Sequence, residues 1–307
     1  MTMNVEWLRG CATALVTPFT SSGAVDEPRL RDLIDYQISG GVRILVPCGT
    51  TGESATMTEE EDQRVISITV EAAKGRARVI AGTGSNATAV AIETSRTART
   101  LGVDGVLVVA PFYNKPTQEG MYAHFRAIAE AVGDLPVVIY NVPGRTASNI
   151  TAATTLKLAH DVQNIVAIKE ASGDLTQIMA ILRGRPENFR VLSGDDSLTF
   201  AMLALGGEGL ISVASNEAPA MMSEMIELAL AGEWDKSRAL HYKLLPLMEV
   251  NFIESSPGPV KAALAMLNLI EENYRLPLVP VQEKTRGRLR EVLLEVGLLK
   301  EVSHVAS

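Results

Sequence analysis

The chain has 307 residues, 47% of them hydrophobic but only 5% aromatic, so aliphatic side chains and alanine must fill a large core. The formal net charge is −8 and no basic cluster occurs, which argues against nucleic acid as a partner. No apolar run reaches membrane-spanning length, residues 1–10 carry Glu6 and Arg9 where a signal peptide would be apolar, and two cysteines, Cys11 and Cys48, make no disulfide framework. A reducing cytoplasm is the expected compartment, with no membrane partner. His124, His160, His241 and His304 lack ligand spacing, so no metal site is expected.

Eight short apolar runs recur, at 12–16, 44–47, 78–81, 105–110, 136–140, 165–169, 189–192 and 209–213. Helical stretches separate them. The stretch 28–37 follows Asp26 and puts Leu30, Leu33 and Ile34 on one face. Thr58 and Glu61 form a capping box for a helix that stops at Gly75. Residues 86–101 and 117–132 end at Gly102 and Gly133, and helices at 150–159, 175–182, 196–205 and 219–231 follow. Alternating strands and helices require parallel pairing with right-handed crossovers. Eight units predict an α/β fold, a closed (β/α)8 TIM barrel over residues 1–231, since closure removes the sheet edges. From residue 232 the pattern is purely helical, at 234–249, 257–271 and 282–296. No Gly/Ser-rich linker intervenes, so residues 232–307 read as a C-terminal helical extension packed on the barrel. The tail after Lys300 is expected to fray.

In such a barrel the functional groups gather at the carboxyl ends of the strands. The sixth run, Ile165-Val166-Ala167-Ile168-Lys169, ends in a lysine, with Gly173 as a turn and Asp174 as a helix cap. Burial lowers a lysine pKa, and a neutral amine can attack a carbonyl carbon to form a Schiff base. Taken alone, the run also fits a lysine that snorkels to water. After the second run, Gly49-Thr50-Thr51-Gly52 can bring backbone N–H groups and hydroxyls to a small carboxylate, or can be a polar turn. After the third, Gly82-Thr83-Gly84-Ser85-Asn86-Ala87 matches a dinucleotide fingerprint, but the next strand ends Val109-Ala110-Pro111-Phe112 without the acid that a nicotinamide cofactor needs. No cofactor is expected.

The fourth run leads into Phe112-Tyr113-Asn114-Lys115-Pro116, an exposed aromatic pair that reads as an interface anchor or a site wall. The fifth leads into Tyr140-Asn141-Val142-Pro143-Gly144-Arg145-Thr146. Its tyrosine can relay protons and its arginine can hold a carboxylate bidentately, although each is also compatible with a core or surface role. Lysine, tyrosine, threonine and arginine on one rim are what an imine-forming keto-acid enzyme requires.

The runs around Thr50, Tyr113, Tyr140 and Lys169 resemble the dihydrodipicolinate synthase family of pyruvate-dependent class I aldolases, over about residues 8 to 297. The resemblance implies a lyase that condenses pyruvate with aspartate semialdehyde in the diaminopimelate and lysine pathway. It implies that Lys169 forms the imine and that Tyr140, Thr50 and Tyr113 relay protons, with Tyr113 reaching in from a neighbouring subunit. It gives Thr51, Gly194 and Ile211 to the pyruvate pocket and Arg145 to the semialdehyde. It also implies a homotetramer built as a dimer of dimers. The sister N-acetylneuraminate lyases and 2-keto-3-deoxy sugar acid aldolases share the imine machinery and stay open as alternatives. Relative to lysine-inhibited members, Asn86 matches, but Val90 replaces a glutamate, Phe112 a tyrosine, and Glu59 and Asp62 often histidines; weak or absent lysine feedback is expected.

Overall fold

The alternation of apolar runs and amphipathic helices closes on itself. The computed structural model describes residue 3 and residues 5–300. Its strands are β1 (Gly10–Ala14), β2 (Ile44–Val46), β3 (Arg78–Gly82), β4 (Gly105–Val109), β5 (Val137–Asn141), β6 (Ile165–Glu170), β7 (Arg190–Ser193) and β8 (Gly209–Ser212). They form one closed barrel in chain order, every pairing parallel, with β8 returning to β1. The chain therefore has the TIM-barrel fold that the sequence pattern predicts.

The interior is packed with side chains such as Ala12, Ile44, Val46, Ile80, Leu107, Val138, Val166, Leu192 and Ile211. Val5 and Leu8 from the amino-terminal segment join this cluster. The helices of the outer layer are α1 (Glu27–Ser39), α2 (Glu59–Ala73), α3 (Thr88–Thr100), α4 (Gln118–Val132), α5 (Pro143–Thr146), α6 (Ala152–Asp161), α7 (Leu175–Gly184), α8 (Thr199–Ala204) and α9 (Pro219–Leu230). A larger apolar layer lies between them and the outward strand residues, including Leu45, Val106, Ile139, Ile168 and Val191. Three helices follow, α10 (Trp234–Val250), α11 (Gly258–Met266) and α12 (Glu283–Glu295). Residues 258–264 of α11 are buried, and Val260 and Leu264 pack with Val16 and Val213 beyond the ends of β1 and β8.

The helix signals act locally as expected. Thr58 and Glu61 form both bonds of the capping box on α2. Asp174 accepts from the Thr176 and Gln177 N–H groups at 2.9 and 3.0 Å and so starts α7. Some boundaries differ. The first run reaches Val16, but β1 stops at Ala14 because the Val16 N–H turns to the Asn216 side chain at 3.2 Å. The Pro143-Gly144-Arg145-Thr146 stretch after β5 is the single turn α5, started by proline at its first position. The helix expected over 257–271 ends at Met266, where Asn268 takes a left-handed backbone (φ 58°). The tail after Lys300 lies outside the described residues.

Candidate active site

β5 and β6 run in register, with Tyr140 opposite Lys169 and Asn141 opposite Glu170. Side chains alternate across a strand, so the first pair turns into the barrel and the second out toward the helices. Lys169 is 6% exposed, and its Nζ lies 4.3 Å from the centroid of the Tyr140 ring. Burial pulls the lysine pKa down to about 8, with Arg145 adding to the shift and the Asp196 carboxylate opposing it. Burial pushes the Tyr140 phenol up to about 12, so the hydroxyl keeps its proton near neutrality.

Both side chains line a cavity of about 370 Å³, bounded by residues at the carboxyl ends of the strands and the loops beyond. Thr50, Thr51, Arg145 and Gly194 line the same cavity. Thr50 and Arg145 are exposed, whereas Thr51 is buried. A Cβ at Gly194 would stand 2.8 Å from Lys169 Cε, so glycine there leaves room for the lysine stem. Two singled-out residues are elsewhere. Ile211 is buried in the barrel core below the cavity and does not line it; Val213 does. Tyr113 is 88% exposed, has a left-handed backbone (φ 72°) and does not line the cavity either.

The outward pair forms a polar clamp that the sequence reading missed. Asn141 Nδ2 donates to both Glu170 oxygens, at 3.2 and 3.1 Å, and to Asn149 Oδ1 at 2.8 Å. Gln177 Nε2 and the Ser172 N–H also donate to Glu170, at 3.1 and 2.7 Å. This network ties the ends of β5 and β6 together behind Tyr140 and Lys169. Asp196 is likewise buried, where it accepts from Ser212 Oγ and from the Val213 N–H at 3.0 Å. Its neighbour Asp195 closes the turn before α8, accepting from the Ser197 and Leu198 N–H groups. The signal for the clamp was a charged residue beside the lysine in an otherwise apolar strand. The glycines of the dinucleotide-like run have a packing cause. Side chains at Gly82 and Gly84 would collide with the backbones of Cys48 and Val109.

Residues 7–296 match the Dihydrodipicolinate synthetase family. The chain belongs to this family. It is 54% identical to a 4-hydroxy-tetrahydrodipicolinate synthase of Koribacter versatilis, an alignment that covers 96% of this chain and 98% of the relative. A 4-hydroxy-tetrahydrodipicolinate synthase of Acidobacterium capsulatum is 52% identical, with 96% and 97% covered. The crystal structure of dihydrodipicolinate synthase from Aquifex aeolicus superposes with a TM-score of 0.92 at 46% identity, covering 94% of this chain and 98% of that one.

Of the four positions expected to weaken lysine feedback, Phe112 lines the first cavity and the other three share a location. Glu59, Asp62 and Val90 all line a second cavity of about 230 Å³, whose wall includes Cys48, Ser54, Gly82 and Gly84 of the first. Burial raises the Asp62 carboxyl to about 6 even though Ser54 Oγ donates to it at 2.9 Å. Cys48 is buried between the two cavities with its thiol pushed well up by desolvation.

Proposed function

We propose that this chain condenses pyruvate with aspartate semialdehyde, the reaction of a 4-hydroxy-tetrahydrodipicolinate synthase, through an imine on Lys169. The observation that carries this reading is the buried lysine, its pKa drawn down to about 8, beside Tyr140 in one cavity with Arg145 at its edge. A fraction of the lysine is then neutral at pH 7 and can attack the pyruvate ketone, expelling water as the imine forms. Thr51 and the backbone near Gly194 and Ile211 hold or enclose the pyruvate carboxylate. The cationic imine draws electrons from the adjacent methyl group, which loses a proton and becomes an enamine. Tyr140, Thr50 and Tyr113 relay that proton. Arg145 receives the semialdehyde carboxylate, and the enamine carbon attacks the aldehyde to make the new C–C bond. The substrate amine then attacks the imine carbon, closes the ring and frees Lys169.

Family membership and the named relatives favour this reading over sister aldolases, because the imine chemistry is common to all and Arg145 is what selects a second acid. The chain works as a homo-oligomer, a tetramer built as a dimer of dimers; the exposed Tyr113 supports a subunit contact, because its hydroxyl serves a site only if a neighbouring subunit supplies that site. The barrel over residues 5–231 holds the active site, residues 232–300 are an extension packed on it, and the enzyme works in the cytoplasm. Borohydride reduction in the presence of pyruvate tests the central step. A pyruvate adduct on the Lys169 peptide is expected, and its absence would sink the reading.

A further inference from the structure

We propose that Lys261, on the C-terminal helix α11, is a positioning residue that holds the Thr50–Thr51 turn in place through a buried ion pair with Glu53. This rests on the functional reading above, in which that turn serves the pyruvate end of the cavity. The turn is an unusual piece of backbone. Cys48 and Glu53, at its two ends, both take left-handed conformations (φ 56° and 55°) that L side chains adopt only when their surroundings enforce them. Internal bonds are few. The Gly52 and Glu53 N–H groups donate to the Gly49 and Thr50 carbonyls, each at 3.1 Å, and Thr17 Oγ1 donates to the Gly52 carbonyl at 2.7 Å.

The Glu53 carbonyl also accepts from the Thr56 N–H and Oγ1 at 2.9 and 3.0 Å, and its side chain is held by charge. Glu53 Oε1 accepts from Lys261 Nζ, and both side chains are within 1% of complete burial. The ammonium also lies 4.3 Å from the Phe19 ring centroid and 5.4 Å from that of Tyr274. Packing alone gives no reason for a fully buried lysine in a helix whose other buried residues are Gly258, Pro259, Val260, Ala262, Ala263 and Leu264. Arg275 anchors the other end of the same segment. It grips both Glu61 oxygens at 2.6 Å, donates to the Thr56 carbonyl at 3.0 Å and lies over Phe19 at 4.3 Å. The region after α10 thus grips the β2–α2 connection, whose threonines line the cavity, at two points.

Steady-state kinetics of Glu53→Gln and Lys261→Met, beside Leu289→Ala in α12, tests this. Leu289 is buried in α12 and supplies none of the bonds to the turn, so its loss serves as a control that lowers thermal stability with the ion pair intact. The two ion-pair variants should raise the pyruvate KM and lower kcat, each by about 10-fold or more, as expected for a displaced binding group. Their semialdehyde KM should stay near that of the parent, and Leu289→Ala should change neither KM. Glu53→Gln is isosteric and decides the matter if Lys261→Met does not fold. An ion-pair variant that melts lower but keeps the parent's pyruvate KM and kcat would overturn the proposal. Borohydride trapping of pyruvate by the parent enzyme separates the two claims. Failure there removes the functional reading itself, whereas success there with unchanged Glu53→Gln kinetics removes only the positioning role.

Discussion

At the scale of single residues, the reactive lysine carries its chemistry at a cost in stability. Lys169 titrates at about 8 in the folded chain, against 10.5 when unperturbed. Below pH 8 both states hold the proton, and the folded state pays to keep it out of water. Between pH 8 and 10.5 the unfolded chain binds more protons, so this group makes stability rise with pH across that window. The shift corresponds to on the order of 3 kcal/mol. Lys169→Met should therefore abolish the pyruvate adduct yet melt several degrees higher at pH 7, an advantage that vanishes as pH approaches 10.5. Calorimetry from pH 7 to 10.5 checks this, and a lower melting temperature at pH 7 would contradict it. The parent's imine formation should accelerate with pH up to about 8 as the neutral amine accumulates. Arg145→Ala acts on the other substrate. It should leave borohydride trapping of pyruvate intact and lower kcat/KM for the semialdehyde by roughly 100-fold, given a bidentate charged clamp worth a few kcal/mol. Equal losses for both substrates would argue against that division of labour.

At the scale of elements, strand ends and helix caps were legible because each is written by neighbouring residues. Asp174, Thr58 and Glu61 cap where their spacing says they should, and the order of eight apolar runs gives the order of the barrel. The motif residues Lys169, Tyr140, Thr50, Thr51, Arg145 and Gly194 reach one cavity because all lie at or just beyond the carboxyl ends of barrel strands. The clamp around Glu170 and the Lys261–Glu53 pair were not legible. Their partners lie 29 and 208 positions apart; a charged residue beside Lys169 is the one local sign of the clamp, and it does not tell what the carboxylate meets. Which side chain of β8 meets the cavity was not legible either: that of Ile211 packs in the barrel core, leaving only its backbone for the pocket, while Val213 lines it. Glu61 illustrates both kinds of information. It completes the local capping box and also accepts from the distant Arg275, which draws its carboxyl down to about 2. A depressed carboxylate stabilises the fold above its unfolded pKa, and that contribution is lost as pH falls toward the folded value. Stability should thus decline from near pH 4.5 toward pH 2, and Glu61→Gln should flatten that limb. Urea midpoints between pH 6 and 2 report it, and parallel slopes for parent and variant would count against the pairing.

At the scale of the whole molecule, the barrel presents two cavities that share a wall, one holding the lysine and one lined by Glu59, Asp62 and Val90. Glu59, Asp62 and Val90 are the departures from the lysine-inhibited pattern, implied by the sequence resemblance, that lie in the second cavity. Free lysine should therefore inhibit weakly or not at all, and strong inhibition at submillimolar lysine would refute this. The first cavity decides the identity of the reaction. The direct test is condensation of pyruvate with aspartate semialdehyde, run beside N-acetylneuraminate cleavage on one preparation. Product from the semialdehyde with little cleavage is expected. Cleavage without condensation would leave Lys169 and Tyr140 in their roles and contradict both the assignment of Arg145 and the reaction proposed for this chain.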